Sequence, residues 1–182
     1  MTANTHPPAA PAIITVVGFS NSGKTTLIEK LLPELKRHGL KVGTIKHAHH
    51  GFSIDRKGKD SWRHQQAGAD RVAVAGPQKT AMIINTPLGR LEDIRSWMTG
   101  MDLVLAEGWK AERMPKIEVL RSAVHANPLF LEDPDLFALV TDVDLAPHAG
   151  DGVKVFGLED IPSLADLIVG RFLTPGPDTP TP

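Results

Sequence analysis

Cysteine is absent from this 182-residue sequence, which also lacks long apolar runs and a strong net charge. A chain without cysteine forms no disulfide, iron–sulfur cluster or thiolate zinc site, which is compatible with a reducing cytosol. No apolar run approaches the roughly 20 residues of a membrane-spanning helix. The net charge of −1 provides no broad basic surface for nucleic acid. We therefore expect a cytoplasmic protein that binds neither membranes nor nucleic acid.

The composition is that of one globular domain with two polar tails. Hydrophobic residues make up 41% of the chain and charged residues 23%, and the length suffices for one substantial core. Residues 1–11 and 174–182 are rich in proline and threonine, so we expect both tails to be disordered. The first tail has neither the basic nor the apolar region of a secretory signal. The expected folded domain is 12–173.

The segment GFSNSGKT, at residues 18–25, matches the pattern G-x-x-x-x-G-K-[ST]. Gly18 and Gly23 permit backbone angles that let successive N–H groups curl around an anion. Lys24 supplies a mobile cation for the outer phosphates, and Thr25 supplies a hydroxyl ligand for Mg²⁺. A β-branched run precedes the motif and an amphipathic helical pattern follows it, as a phosphate-binding P-loop requires. The candidate nucleotide ligands are Ser20, Asn21, Ser22, Gly23, Lys24, Thr25 and Thr26.

The rest of the pattern predicts an α/β protein with a three-layer P-loop NTPase fold. Strand-like runs lie at 12–17, 41–46, 71–75, 80–85, 102–106, 116–120, 136–141 and 153–156, and helical patterns at 24–37, 60–68, 89–99 and 159–172. Long helices between strands favour a mostly parallel sheet with right-handed crossovers. The runs RVAVA and TAMIINT, joined by a Gly-Pro turn, predict an antiparallel hairpin at one edge of the sheet. A second subunit can add strands at such an edge, so we expect a homodimer.

A histidine-rich block, HAHHGFSIDRKGKDS at residues 47–61, follows the second strand. Loops after parallel strands face one crevice. Asp55 in this block is therefore a candidate ligand of the Mg²⁺ that Thr25 would hold. Asp60 is expected instead to cap the helix that follows it.

The histidines of this block, among them His49 and His50, have three open interpretations. In the first, they are ligands of a transition metal. In the second, they contact anionic groups of a ligand, together with Lys59 and neighbouring lysines. In the third, they are solvated loop residues. A loop of this length without secondary structure is typical of a binding element or lid. His49, His50 and Lys59 are therefore candidate ligand-binding residues.

Two further strand-like runs end in an acid. The run LVLA leads to Glu107, and an acid at this place in P-loop proteins orients Mg²⁺ or the attacking water. Glu107 is therefore a candidate metal ligand and, with Lys24, a candidate catalytic residue. Trp109 either stacks on an aromatic ligand or is partly buried.

The second such run, FALVT, leads to Asp142. A carboxylate at this position can accept the N1–H and the N2 amine of guanine, and adenine lacks that pair of donors. A turn-forming aspartate is the alternative. The N-K-x-D motif typical of guanine recognition does not occur in the chain.

Together these stretches resemble the molybdopterin-guanine dinucleotide biosynthesis adaptor family, MobB. The matching segments are GFSNSGKTTL, IKHAHHGFSIDRKGKDSWRHQQAGA, DLVLAEGWK, PKIEVLR and VTDVDL, and the resemblance spans 13–170. It implies a GTP-binding protein with weak Mg²⁺-dependent GTPase activity that is usually dimeric. It also implies a partner, the MobA-type guanylyltransferase that joins GMP to molybdopterin. Molybdopterin itself is a further candidate ligand.

Two other functions stay open on the sequence. A small-molecule kinase, or a synthetase resembling dethiobiotin synthetase, places an aspartate and a glutamate in a similar way. A scaffold that uses the nucleotide only as a ligand is the second alternative. The sequence does not separate an adaptor with residual hydrolysis from a pure binder.

Overall fold

The computed structural model describes the chain in two compact units. The described residues are 10–48, 51–85, 90–125, 127–129, 131–143 and 152–173. The larger unit runs up to His47 and resumes at Ile94, and the smaller one is Ala48–Asp93. Both tails expected from the sequence lie outside the described residues, except for Ala10 and Pro11.

Strands and helices follow one another closely along the chain. In order they are β1 (Ala12–Val17), α1 (Lys24–Arg37), β2 (Val42–Lys46), α2 (Asp60–Gln66), β3 (Arg71–Ala75), β4 (Thr80–Ile84), α3 (Leu91–Arg95), a 3₁₀ helix (Ser96–Met98), β5 (Leu103–Glu107), β6 (Lys116–Leu120), β7 (Leu136–Thr141), β8 (Lys154–Phe156) and α4 (Ile161–Phe172). Every predicted element is present. No end differs by more than two residues if the 3₁₀ helix is counted with α3.

The larger unit is organised around a six-stranded sheet. The strand order is β2-β5-β1-β6-β7-β8, and every neighbouring pair is parallel. Because all six strands run in the same direction, the loops that follow them meet at one edge, where ligands of α/β proteins bind. The predicted fold class is confirmed, since a parallel sheet with surrounding helices is the observed architecture.

The main hydrophobic core lies between this sheet and the helices α1 and α4. Alternate residues of β1, Ile14 and Val16, are fully buried in it, as is Leu164 of α4. The buried residues of α1 recur at helical spacing, at Leu27, Ile28, Leu31 and Leu35. This packing fixes the start of α1 directly beyond the end of β1, and so it fixes the loop between them.

A buried lysine holds two loops of the larger unit at the start of β6. The side chain of Lys116 is 2% exposed, and its Nζ lies 3.2 Å from an oxygen of Asp133 and 3.6 Å from one of Asp135. The same ammonium group donates a hydrogen bond to the carbonyl oxygen of Glu112 over 2.6 Å. Lys116 therefore ties the loop after β5 and the loop after β6 to one strand.

The smaller unit contains α2 and the hairpin of β3 and β4. The two strands pair in antiparallel register, from Arg71 opposite Ile84 to Ala75 opposite Thr80. The hairpin was predicted correctly, but its strands do not join the six-stranded sheet by hydrogen bonds as expected. The two strands form a sheet of their own. None of the described helices combines the length and the apolarity needed to cross a membrane.

Candidate functional site

The P-loop joins β1 to α1 through three residues with left-handed backbone. Gly18 has a φ of 136°, and a Cβ atom there would collide with the carbonyl oxygen of Val119 in the neighbouring strand. Asn21 and Gly23 follow with φ values of 61° and 99°. Helix α1 then begins at Lys24. The loop thus has the turns that let backbone N–H groups and a helix N-terminus face one anion.

Lys24 folds back over the P-loop. Its Nζ donates a hydrogen bond to the carbonyl oxygen of Phe19 over 2.6 Å. Burial lowers the pKa of Lys24; the nearby carboxylate of Glu107 acts in the opposite direction, and Lys110 and Lys46 add to the lowering. The charged ammonium group is therefore disfavoured by burial and by like charges, and a bound anion would relieve both.

Thr25 and Glu107 meet beside the P-loop. The hydroxyl of Thr25 donates a hydrogen bond to Oε2 of Glu107 over 2.9 Å. The other carboxylate oxygen, Oε1, lies 3.2 Å from Nζ of Lys46, and the Glu107 side chain is 13% exposed. A hydroxyl and a carboxylate are oxygen ligands of the kind Mg²⁺ prefers, so this pair fits that ion. Thr25 lies at the start of α1, which follows β1, and Lys46 and Glu107 end the strands β2 and β5; because β1 and β2 both pair with β5, the three residues come together.

Asp142 follows β7 at the same edge of the sheet. The backbone N–H of Ser122 donates to its Oδ1 over 2.7 Å, and the Ser122 hydroxyl donates to Oδ2 over 3.2 Å. The backbone hydrogen bond from Ser122 is the main reason that the pKa of Asp142 lies below its usual range. The carboxylate is exposed, and each oxygen keeps a lone pair for another donor.

A groove of about 180 Å³ runs beside the P-loop toward the end of β7. Its walls come from the start of α1, the ends of β6 and β7, and the segment before α4. The lining residues are Ser22, Gly23, Thr26, Leu27, Lys30, Val119, Arg121, Val140, Leu158 and Glu159. Lys30 and Glu159 close one side of the groove with an ion pair of 2.7 Å.

Asp55 belongs to the smaller unit, and its carboxylate accepts hydrogen bonds within that unit. Its Oδ1 accepts hydrogen bonds from the backbone N–H of Arg56 and the hydroxyl of Ser61, over 2.8 and 3.0 Å. Its Oδ2 accepts one from the Gln65 amide over 3.0 Å. Asp55 thus holds the start of α2, and its role as a Mg²⁺ ligand stays a prediction.

The expectation that Asp60 caps α2 was wrong. Asp60 is the first residue of the helix, and Lys59 occupies the cap position without a side-chain cap hydrogen bond. The carboxylate of Asp60 lies 4.0 Å from the guanidinium of Arg63 one turn later. Lys59, a candidate ligand-binding residue, is exposed.

The histidine-rich block is only partly described. His49 and His50 lie outside the described residues. His47 stacks on Trp109, with ring centroids 4.5 Å apart, and Trp109 is 6% exposed. Burial is therefore the correct interpretation of Trp109. Across the described parts of the chain, no three acidic or histidine side chains are close enough to hold a metal ion together.

Sequence reasoning missed several residues of this edge. Arg121 and Ser122 directly follow β6, and Lys110 lies just after β5, yet none was given a role. His125 stacks on the ring of Phe19 in the P-loop, with centroids 3.9 Å apart. Arg121, Ser122 and Lys110 are polar residues just beyond a strand, and that position was the available signal.

A protein-family model matches most of the chain. The family model of molybdopterin guanine dinucleotide synthesis protein B, MobB, matches residues 13–142. The chain belongs to this family. This confirms the resemblance to MobB that was seen in the sequence. The family takes part in molybdopterin guanine dinucleotide synthesis.

Individual MobB relatives agree with this assignment. The molybdopterin-guanine dinucleotide biosynthesis adapter protein of Haemophilus influenzae is 37% identical over 159 residues, 86% of each chain. Its Escherichia coli counterpart is 34% identical over 163 residues, 86% of this chain and 91% of that protein. The crystal structure of Bacillus subtilis MobB superimposes with a TM-score of 0.68 at 28% identity, covering 90% of this chain and 99% of that one.

Proposed function

We propose that this protein is a GTP-binding adapter in molybdopterin guanine dinucleotide synthesis that assists a MobA-type guanylyltransferase in the cytoplasm. Family membership supports the pathway. Nucleotide binding is supported most directly by the contact between Thr25 and Glu107, beside a P-loop over which the Lys24 side chain lies. The alternatives are a kinase and a scaffold that uses the nucleotide only as a ligand, and the experiments described below test for them.

The P-loop would bind the triphosphate. In the proposal Ser20, Asn21, Ser22 and Gly23 line the phosphates, Lys24 moves from the Phe19 carbonyl to the outer phosphates, and Thr26 lies beneath the inner one. Mg²⁺ held by Thr25 and Glu107 would neutralise phosphate charge. The lowered pKa of Lys24 supports this, because burial without an anion disfavours its charge.

The groove along Thr26, Arg121 and Leu158 would hold the nucleoside. Asp142 lies two residues beyond Val140, which lines this groove. Its carboxylate is exposed and, having a lowered pKa, stays ionised near neutrality. We assign guanine recognition to Asp142, which would accept the N1–H and N2 amine of the base through its two remaining lone pairs.

Hydrolysis would be slow. Glu107 is the group that would orient an attacking water, and Lys24 the cation that would stabilise the transferred phosphoryl group. The P-loop sequence GFSNSGKTT contains no glutamine or arginine to accelerate the step. We therefore expect turnover far below the 1–10³ s⁻¹ typical of enzymes.

The hairpin of β3 and β4 would form the homodimer. Val74 and Met82 are 50% and 62% exposed, although both are large apolar residues in a strand. Exposed strand edges with apolar side chains are typical sites of strand addition. A hairpin-mediated dimer would bring two nucleotide sites into one assembly.

The histidine-rich loop would bind either molybdopterin or the partner transferase. We propose that His49, His50 and Lys59 contact the phosphate of molybdopterin or the transferase. The exposed position of Lys59 supports this.

A reconstituted synthesis assay tests the adapter role. Purified transferase, molybdopterin and GTP are combined with the wild type, or with a variant that replaces His49, His50 and Lys59 by alanine. Wild type should stimulate guanine dinucleotide formation, and the triple variant should bind GTP normally without stimulating. A matched control replaces Lys36, His38 and His64, which are one lysine and two histidines exposed elsewhere on the chain. A triple variant that still stimulates fully excludes the loop, and a wild type that never stimulates contradicts the adapter role.

A further inference from the structure

The chain bends sharply directly after Glu107. Gly108 and Trp109 have φ values of 93° and 56°, so two successive residues adopt left-handed backbone. A tryptophan in this region is unusual and conformationally strained. The strain persists because the Trp109 ring is buried and stacked on His47. The Trp109 Nε1 atom has no hydrogen-bond partner among the described residues.

The bend places Lys110 beside the P-loop. Nζ of Lys110 lies 5.7 Å from the centroid of the Phe19 ring. The carbonyl oxygen of the same Phe19 accepts the hydrogen bond from Lys24. Two ammonium groups therefore contact one P-loop residue, one through its ring and the other through its backbone.

Positively charged side chains outnumber acidic ones in this part of the site. Lys24, Lys46 and Lys110 are three cations, and Glu107 is the acid that pairs with Lys46 at 3.2 Å. Lys110 is exposed and forms no ion pair with any residue that the structure describes. Positive side chains that outnumber the acids beside them are typical of a site for a polyanion.

We infer that Lys110 is a second phosphate-binding lysine, which contacts the terminal phosphate of the bound nucleotide from the side opposite α1. The strained bend at Gly108 and Trp109 aims this side chain, and the Phe19 ring holds it near the P-loop until the phosphate arrives. The inference rests on the proposed GTP binding. It adds that selectivity for a triphosphate over a diphosphate comes from Lys110.

The decisive experiment compares GTP and GDP affinity in variants of Lys110. Loss of a charge-assisted contact to the terminal phosphate should weaken GTP binding by about 10-fold or more in Lys110→Ala. GDP binding should change by less than about 3-fold, and Lys110→Arg should recover most of the GTP affinity because the cation is restored. Lys24→Ala should weaken both nucleotides. The matched control is Lys36→Ala, which should change the affinity for neither nucleotide. Lys36 lies twelve residues after Lys24 along α1, or about 18 Å away.

Two failures have different meanings. If the wild type binds GTP and Lys110→Ala weakens GTP and GDP equally, or neither, Lys110 only packs on Phe19 and this inference is overturned. If the wild type binds no guanine nucleotide, the proposed function fails and the inference fails with it. Circular dichroism of each variant checks that the fold is retained.

Discussion

Thr25 Oγ1 and Glu107 Oε2 lie 2.9 Å apart, which joins the first turn of α1 to the end of β5. The two residues are 82 positions apart in sequence and come together because β1 and β5 are parallel neighbours. The same carboxylate contacts Lys46 at the end of β2. The helix α1 and the strands β2 and β5 thus contribute one side chain each to a single polar cluster.

Replacing Glu107 by glutamine tests the metal role of this cluster. Glutamine keeps an oxygen that accepts the Thr25 hydrogen bond but carries no charge for Mg²⁺. Mg²⁺ should then add little to GTP affinity, although the Mg²⁺-free affinity stays near that of the wild type. Calorimetric titration with and without Mg²⁺ measures both quantities. Glu34→Gln, in the exposed pair with Arg37, is the control. A full Mg²⁺ effect in the Glu107 variant would exclude it as a ligand.

Gly18→Ala should damage both the P-loop and the fold. The new Cβ atom meets the Val119 carbonyl oxygen at a backbone angle that alanine rarely adopts. We expect a loss of more than about 1 kcal/mol of unfolding free energy, with loss of nucleotide binding. Gly39→Ala also has a positive φ, of 79°, but open space around the new atom. That control should lose about 1 kcal/mol and keep its affinity; equal behaviour of the two variants would refute the steric argument.

Lys116→Ala should be strongly destabilising. It leaves Asp133, Asp135 and the Glu112 carbonyl without the buried ammonium group. Breaking a buried pair costs roughly 3–5 kcal/mol, and we expect the lower end of that range because both aspartates are partly exposed. Urea denaturation measures the difference. Lys36→Ala should change stability by less than about 0.5 kcal/mol. A similarly small effect of Lys116→Ala would show that the ion pairs contribute nothing net.

The pH dependence of stability should reveal the Ser122–Asp142 contact. Because the pKa of Asp142 is lowered in the folded state, the ionised carboxylate stabilises the fold above its unfolded-state pKa of about 3.9. That contribution is lost as the pH falls through the lower folded-state pKa. The stability difference between wild type and Asp142→Ala should therefore shrink between pH 6 and pH 3. Urea midpoints across this range measure it, and a difference independent of pH would argue against the contact.

The sequence was most informative where a feature is local. The P-loop, its flanking strand and the helix behind it follow from glycine spacing and apolar periodicity within about 25 residues. Glu107 was found because an apolar strand ends there. These features need no knowledge of which strands are neighbours.

Features that depend on tertiary contacts were not predictable in the same way. The hairpin pattern gives the pairing of β3 with β4 but not the sheet to which they belong. Asp142 meets Ser122 only because β6 and β7 are neighbours in register. The direction of Lys110 depends on a left-handed Trp109, an angle that a tryptophan does not suggest.

Calorimetric titration of the wild type with GTP and with ATP, each with and without Mg²⁺, shows whether the P-loop and Asp142 form a site for a guanine nucleotide. We expect GTP to bind more tightly than ATP, Mg²⁺ to strengthen binding, and Asp142→Ala to remove most of the preference for GTP. Lys24→Ala should weaken GTP binding by about 10- to 150-fold, which corresponds to 1.5–3 kcal/mol. Equal affinity of the wild type for GTP and ATP, or rapid ATP turnover, would contradict the account and favour a kinase.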